Sequence, residues 1–183
     1  MPVTAAHLVP ECKAAAPVPA RVVARLDAAA LKQVDAAVLA PRLLDLLQVP
    51  AGDRPALCLI VAELFNNALE HGVLRLESAL KRNGSGMSRY LELRRQRLAR
   101  LRHAAVDVTL ERRTRGRREW LRIRVRDSGA GFDFARLARD AAPAHAAHGR
   151  GLALIGGLGA TLTYRRPGNE AVARYELKQA AAG

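Results

Sequence analysis

The stretch ELFNNALEHG, residues 63–72, places polar side chains inside a segment that otherwise has the pattern of a buried helix. Apolar residues recur around it at helical spacing, so the sequence predicts a helix from about residue 54 to residue 71. At about 100° per residue the polar side chains share one side of that helix. They are Glu63, Asn66, Asn67 and Glu70. Because adjacent asparagines are poor helix formers, this stripe indicates a helix face directed at something polar.

Glu63 and Asn67 are four positions apart, which makes their side chains neighbours on the helix. A carboxylate beside an amide oxygen can hold a hard cation together with a water or a hydroxyl group. A solvated helix face explains the same stripe, and the stripe alone does not decide between them. We expect Asp53 to cap the start of this helix, Pro55 to lie in its first turn and Gly72 to end it.

The composition indicates one domain with a sizeable core, because half of the 183 residues are hydrophobic. The net charge of +13 permits nucleic acid, an anionic membrane or an acidic protein as partner, although a solvated arginine-rich surface is the simpler explanation. No apolar run reaches the ~18 residues of a membrane span, and the N-terminus lacks the pattern of a signal peptide. Cys12 and Cys58 lack metal-ligand spacing, so we expect a reduced, cytoplasmic chain. We expect no membrane partner.

The order of the predicted elements indicates a mixed α/β domain. Residues 1–19 are rich in Ala and Pro and are expected to form a flexible leader or linker. The predicted elements that follow are a strand at 21–27, a helix at 28–49 bent or split at Pro41, the helix at 54–71, two helical pieces in 74–103 broken at NGSG (83–86), a hairpin of 105–113 with 119–127, a short helix within 132–148, a helix from 151, and a hairpin of 160–166 with 170–178.

The first predicted hairpin has one apolar face and one charged face. If its turn centres between Arg115 and Gly116, Asp107 lies opposite Arg124. The carboxylates of the first strand then partly neutralise the row of arginines on the second strand, Arg122, Arg124 and Arg126. This neutralisation and the aromatic content of 4% argue against nucleic acid as the partner.

Two glycine-containing motifs are candidates for ligand binding. VRDSGAGFD, residues 125–133, ends a predicted strand at Asp127, whose carboxylate can accept a hydrogen bond from an exocyclic amine such as that of adenine. Gly129 and Gly131 permit a tight turn and a close approach of the backbone to a ligand. HGRGLAL, residues 148–154, places glycines before a helix, where free N–H groups bind anions such as phosphate. Taken singly, each motif is also explained by an ordinary turn.

Together, E-x-x-x-N on a helix, D-x-G-x-G after a strand and G-x-G opening a helix resemble the three ATP-binding boxes of the GHKL ATPase superfamily. The resemblance covers roughly residues 21–178, and ELFNNALEHG and DSGAGFD look most similar to the anti-sigma-factor serine kinases. It implies a two-layer sandwich with a mixed, mostly antiparallel sheet and helices on one face, the Bergerat-type ATP-binding fold. This domain would occupy residues 20–183, with a helical insertion at about 74–103.

The resemblance also implies a role for each matching residue, with ATP and Mg²⁺ as the bound groups. Glu63 would be the general base that takes the proton from the attacking hydroxyl group, and Asn67 would hold Mg²⁺. Asp127 would bind the adenine amino group in a pocket that Gly129 and Gly131 shape. The phosphates would contact three lid residues. They are Gly149, Arg150 and Gly151.

Three features depart from the pattern of the family. The last hairpin turn reads GNEA (168–171) where relatives carry hydroxyl side chains, and HAAH (145–148) stands where kinases of this type often carry an arginine. Residues 74–103 lengthen a connection that is usually short. Three residues of the opening stretch have no matching role and are expected at supporting or helix-end positions. They are Asn66, Glu70 and His71.

The leading hypothesis is an ATP-dependent serine/threonine protein kinase of a bacterial partner-switching pathway, which phosphorylates an anti-sigma antagonist protein. A sigma factor, a fused or associated phosphatase or response-regulator module, and a second copy of the chain are further candidate partners. One alternative is an ATP-binding module that sequesters a partner without transferring phosphate. Another is the catalytic domain of a sensor histidine kinase, which needs a phosphoacceptor histidine on a helical hairpin; residues 28–49 contain no histidine. Nucleic-acid binding, the last alternative, would depend strongly on salt.

Overall fold

A computed structural model describes residues 7–10, 20–77, 80, 84–131, 150–165 and 167–178 of the chain. The described strands form one six-stranded sheet in the order β1-β2-β3-β4-β6-β5, in which every neighbouring pair is antiparallel. The strands are β1 His7–Pro10, β2 Arg21–Asp27, β3 Ala105–Arg115, β4 Arg118–Asp127, β5 Ala160–Arg165 and β6 Glu170–Glu176. The helices are α1 Ala28–Leu31, α2 Ala36–Leu46, α3 Arg54–Asn67, the π-helix Ala68–Val73, α4 Gly84–Ala99 and α5 Arg150–Gly157.

The hydrophobic core lies between the helices and one face of the sheet. Every second residue of the two central strands is buried there, as the period of a half-covered sheet requires. These residues are Val106, Val108, Leu110, Leu121, Ile123 and Val125. Helix α3 covers them with its apolar side, formed by Leu57, Ile60, Val61, Leu64 and Phe65. The predicted two-layer fold is confirmed, with the described strand pairs antiparallel throughout rather than mixed.

Residues 7–10 lie within the segment that the sequence suggested as a flexible leader, and they form the edge strand β1. The strand pairs with β2, from His7 opposite Arg25 to Pro10 opposite Val22. The difference arises because hydrogen bonds to a neighbouring strand define β1, and such pairing leaves no periodic signal in four residues. Within the part of the chain that the structure describes, none of the helices is long and apolar enough to cross a membrane.

The helical prediction for residues 28–49 was wrong about where the helix is interrupted. The break falls at residues 32–35, and Pro41 lies inside α2. Asp35 begins α2, because its side chain accepts a hydrogen bond from the backbone N–H of Ala37 at 2.9 Å. A local capping residue therefore determines the boundary.

The polar helix does not end at Gly72, as the sequence suggested. It is α-helical to Asn67 and continues as a π-helix to Val73, so Gly72 lies within it. Residues 74–77, which were predicted as helical, are not helical. Helix α4 begins at Gly84, inside the NGSG stretch that was expected to precede it.

The first hairpin was predicted two residues out of register. Asp107 lies opposite Arg126 instead of Arg124. The turn consists of Gly116 and Arg117, and the φ of Gly116 is +61°. This conformation fits the first central position of a type II′ hairpin turn, which glycine adopts at little cost. The predicted closing hairpin around PGN is present as β5 and β6.

Asp53 does not cap α3 through its side chain, although Pro55 lies in the first turn as expected. The Asp53 side chain is fully buried, and its carboxylate accepts hydrogen bonds from the Tyr175 hydroxyl group at 3.0 Å and from the backbone N–H of Lys178 at 3.1 Å. Burial of Tyr175, its hydrogen bond to Asp53 and the negative charge of Asp53 together raise the pKa of Tyr175 to about 12. Asp53 therefore joins the start of α3 to the end of β6.

Replacing Tyr175 by phenylalanine is expected to lower the free energy of unfolding by about 1.5–3 kcal/mol, the contribution of a hydrogen bond to a charged group. The ring stays in place, while the buried carboxylate of Asp53 loses its O–H donor. Urea unfolding measures the change. Glu92→Gln, at a solvent-exposed ion pair, is the control and should unfold at the same urea concentration as the wild type. A Tyr175→Phe protein as stable as this control would contradict the role given to Asp53.

Candidate functional site

The structure brings together the two residues of the polar stripe that were predicted to act as a pair. The side-chain amide of Asn67 donates a hydrogen bond from Nδ2 to Glu63 Oε1 at 3.2 Å, and both side chains are half-buried. Because the amide nitrogen makes this bond, the amide oxygen is the Asn67 atom that can contact a cation. Helical spacing and this hydrogen bond together set the orientation of both groups.

The Glu63–Asn67 pair fits Mg²⁺ by its chemistry, since carboxylate and amide oxygens are the hard ligands that this ion prefers. Protein sites for Mg²⁺ on nucleotides usually supply one or two oxygens and leave the remaining positions to waters and phosphates. Among the described residues, no three His, Cys, Asp or Glu side chains are grouped as a metal site. A site of this kind would therefore rely on Asn67, as the sequence suggested, and on the phosphates of the substrate.

Asp127 ends β4 and is 8% exposed. Its Oδ1 accepts a hydrogen bond from the backbone N–H of Gly129 at 2.7 Å, which closes the tight turn of the D-x-G-x-G motif. Burial raises the pKa of the Asp127 carboxyl group, and the hydrogen bond from Gly129 acts in the opposite direction. Since Gly129 uses Oδ1, Oδ2 is the oxygen that can accept a hydrogen bond from a ligand amine.

The last hairpin turn, residues 167–169, holds the backbone of the predicted adenine site. Asn169 donates from Nδ2 to the Asp127 carbonyl group at 2.9 Å, and its own carbonyl group accepts from the Asp127 N–H at 2.9 Å. At Gly131, whose φ is +79°, a Cβ atom would lie 2.3 Å from the Pro167 carbonyl oxygen, so only glycine fits. Sequence reasoning missed Asn169. The sequence signal that could have found Asn169 is an asparagine in a hairpin turn where relatives carry hydroxyl side chains.

Gly72 also belongs to the site, which the sequence analysis did not anticipate. A Cβ atom at Gly72 would lie 2.4 Å from the carboxylate of Asp127. A Cβ atom at Gly129 would lie 2.4 Å from the carbonyl oxygen of Gly72. Glycine is therefore required at both positions, and the π-helix packs directly against Asp127.

Replacing Gly72 by alanine is expected to displace the Asp127 carboxylate, because the two cannot occupy the same space. The expected result is a loss of ATP affinity of about tenfold or more and a fall of about 1–3 kcal/mol in the free energy of unfolding. Titration calorimetry and urea unfolding measure these two quantities. The control is Gly52→Ala, where no atom lies within 4 Å of the added Cβ atom. Wild-type affinity in a folded Gly72→Ala protein would show that this contact is not part of the site.

Glu70 and His71 occupy supporting positions in the structure, as the sequence predicted. The Glu70 carboxylate accepts hydrogen bonds from the Tyr90 hydroxyl group at 2.5 Å and from Arg94 Nε at 3.0 Å. The His71 Nδ1 atom lies 2.7 Å from the Leu76 carbonyl oxygen. Both residues fix the chain as it leaves the π-helix.

Tyr164 on β5 is a further residue of this region that sequence reasoning missed. Burial and, to a smaller extent, the negative charge of Glu63 raise the pKa of Tyr164 to about 12. The tyrosine therefore keeps its proton at neutral pH and interacts electrostatically with the predicted general base. The sequence signal that could have found Tyr164 is its place in the alternation of β5, where it shares the core-facing side of the strand with Ala160 and Leu162.

The predicted phosphate lid lies only partly within the described residues. Gly149, HAAH (145–148) and the short helix predicted within 132–148 fall outside them. Arg150 and Gly151 form the first turn of α5, as the glycines before an apolar run suggested. Helix α5 packs against α3 and β5, and its described side chains include the buried Ile155.

A family model described as the histidine kinase-like ATPase domain matches residues 1–175 of the chain, a range that includes every residue of the site described above. A comparison with curated proteins finds no match.

Proposed function

Since the chain belongs to the histidine kinase-like ATPase domain family, we propose that it is an ATP-dependent serine/threonine protein kinase. Domains of this family bind ATP, and membership of the family suggests phosphoryl transfer as the general type of reaction. The observation that best supports the proposal is the continuous helical segment 63–72. It carries the Glu63–Asn67 pair at one end and packs Gly72 against Asp127 at the other.

In the proposed reaction Glu63 takes the proton of a serine or threonine hydroxyl group on the acceptor protein. The hydroxyl oxygen forms a bond to the γ-phosphorus of ATP, and the bond from that phosphorus to the β–γ bridging oxygen breaks, releasing ADP. Asn67 would hold Mg²⁺ through its amide oxygen, and a bound ion would supply positive charge that offsets the charge of the phosphates. The half-buried position of Glu63 beside Asn67 keeps its carboxylate in one orientation.

Asp127 selects adenine in this proposal, because its free oxygen accepts a hydrogen bond from the exocyclic amine. The glycines at 129 and 131 allow the chain to fold tightly around Asp127. Arg150 and Gly151, at the start of α5, and Gly149 before it contact the phosphates. Phosphoryl transfer depends mostly on positioning and charge neutralisation, which are the tasks that this proposal gives to these groups.

The proposed acceptor is a small anti-sigma antagonist protein in a cytoplasmic partner-switching pathway. A sigma factor, a fused or associated phosphatase or response-regulator module, and a second copy of the chain are further proposed partners. The resemblance of ELFNNALEHG and DSGAGFD to the anti-sigma-factor serine kinases supports this assignment.

The test is incubation of the protein with Mg²⁺ and ATP labelled on the γ-phosphate in a lysate of its host, beside Glu63→Ala and the control Glu92→Ala. A labelled small protein whose phosphate is stable in acid, and which is absent with Glu63→Ala, is the expected result. Acid-labile label would indicate a histidine kinase. Absence of label from a protein that binds ATP would favour the module that sequesters a partner without transferring phosphate.

A further inference from the structure

The inserted helix α4 is attached to the π-helix by a mostly buried polar cluster. Tyr90 is 1% exposed, and its hydroxyl group donates to Glu70 at 2.5 Å. Arg94 donates to the other oxygen of the same carboxylate at 3.0 Å, and the Glu70 side chain is 14% exposed. Burial, with the hydrogen bond to Glu70, raises the pKa of Tyr90 well above its usual value, so its hydroxyl group remains a donor at neutral pH. Both oxygens of Glu70 are therefore held by α4.

Further bonds fix the chain that leaves the π-helix. Arg97 of α4 donates to the carbonyl groups of Leu74 at 2.8 Å and Arg75 at 2.7 Å. The Leu76 N–H donates to the Glu70 carbonyl group at 2.8 Å. Side-chain and backbone bonds thus hold residues 70–76 against α4.

The same short segment contacts the predicted adenine site. The bond from the Leu74 N–H to the Leu69 carbonyl group, at 2.8 Å, has the five-residue span of a π-helix. Such turns are rare and are found mostly at functional sites, because the extra residue turns the following side chains to a new direction. Here the π-helix places Gly72 against the Asp127 carboxylate.

We propose that Glu70 is a positioning residue for Asp127, and that the inserted helix α4 is thereby part of the nucleotide site. Tyr90 and Arg94 hold Glu70, Glu70 holds the π-helix, and Gly72 within it fixes the orientation of the Asp127 carboxylate. The inference rests on the proposed function, because it assigns Asp127 to the adenine amine. It predicts that changes to the α4 side chains that hold Glu70 alter the preference for adenine.

The test compares the affinities for ATP and for inosine triphosphate, which carries a carbonyl oxygen in place of the adenine amine. Wild-type protein should prefer ATP by about tenfold or more, the effect of one hydrogen bond to a charged group. Glu70→Gln and Tyr90→Phe should each reduce this preference by about threefold or more. General destabilisation lowers both affinities together and leaves their ratio unchanged, so the ratio reports the orientation of Asp127.

Two controls make the result specific. Glu92→Gln changes an ion pair on the exposed side of α4 and should keep the wild-type ratio. In an Asp127→Asn background, Tyr90→Phe should not change the ratio further, because the carboxylate that Tyr90 helps to position is gone.

If the wild type prefers ATP and both Glu70→Gln and Tyr90→Phe keep that preference, the inference is wrong while the proposed function stands. If the wild type shows no preference for ATP, the adenine assignment and this inference fail together.

Discussion

Asp127→Asn is expected to weaken ATP binding by about 10- to 100-fold, the range set by one hydrogen bond to a charged group. The backbone N–H of Gly129 donates to Oδ1 of the aspartate at 2.7 Å. An asparagine that keeps this bond presents its NH₂ group where Oδ2 now accepts, so two donors would face each other at the adenine amine. Titration calorimetry with Mg²⁺-ATP measures the loss.

The stability of the ligand-free Asp127→Asn protein separates loss of recognition from loss of folding. Burial raises the pKa of Asp127. A group with a raised pKa contributes its full stabilisation below its unfolded pKa of about 4 and loses it as the pH rises through the folded value. Asparagine does not ionise, so the variant does not lose stability in this way. Its free energy of unfolding, minus that of the wild type, should therefore rise between about pH 3 and pH 7. Urea unfolding across this range measures it. A variant that instead loses stability relative to the wild type as the pH rises would contradict the assigned burial cost.

Replacing Glu63 by alanine is expected to leave ATP affinity within about threefold of the wild type and to slow phosphoryl transfer by about 10²- to 10⁴-fold, the usual contribution of a general base. In the proposed reaction Glu63 receives the proton of the attacking hydroxyl group, whereas the proposed adenine contact is at Asp127. Single-turnover transfer from labelled ATP measures the rate.

Glu63→Gln refines this experiment. An amide at position 63 can still accept the hydrogen bond from Asn67, which is 3.2 Å long in the wild type, but cannot take the proton. Equal rate losses in the alanine and glutamine variants indicate that the proton acceptor matters. A glutamine variant as active as the wild type would mean that Glu63 only orients Asn67.

Much of the fold could be predicted because its signals are local. The alternation of apolar residues in β3 and β4 and the apolar side of α3 follow directly from the periods of strand and helix. The register of the hairpin could not be predicted in this way, because the register depends on which residues form the turn. Gly116 occupies the first central position of that turn. Asp53 has the sequence context of a helix cap, yet its carboxylate binds Tyr175, which is 122 positions away in the chain.

The predicted site residues are motif residues, and two residues that sequence reasoning missed, Gly72 and Asn169, contact Asp127 from distant positions in the chain. Glu63 and Asn67 were predicted to be neighbours from helical spacing, which the structure reproduces. Gly72 has the sequence context of a helix end, and a π-helix has no recognisable sequence pattern that would predict its continuation to Val73. Asn169 could not be assigned because its contact with Asp127 depends on how two hairpins meet.

The central claim is that adenine binds at Asp127 and that the γ-phosphate reaches Glu63. A crystal structure of the protein with Mg²⁺ and a non-hydrolysable ATP analogue tests this claim most directly. The account predicts the adenine amine about 2.7–3.2 Å from an oxygen of Asp127, the metal ion on the amide oxygen of Asn67, and the γ-phosphate beside Glu63. An adenine bound away from Asp127, or triphosphate density far from Glu63 and Asn67, would contradict it.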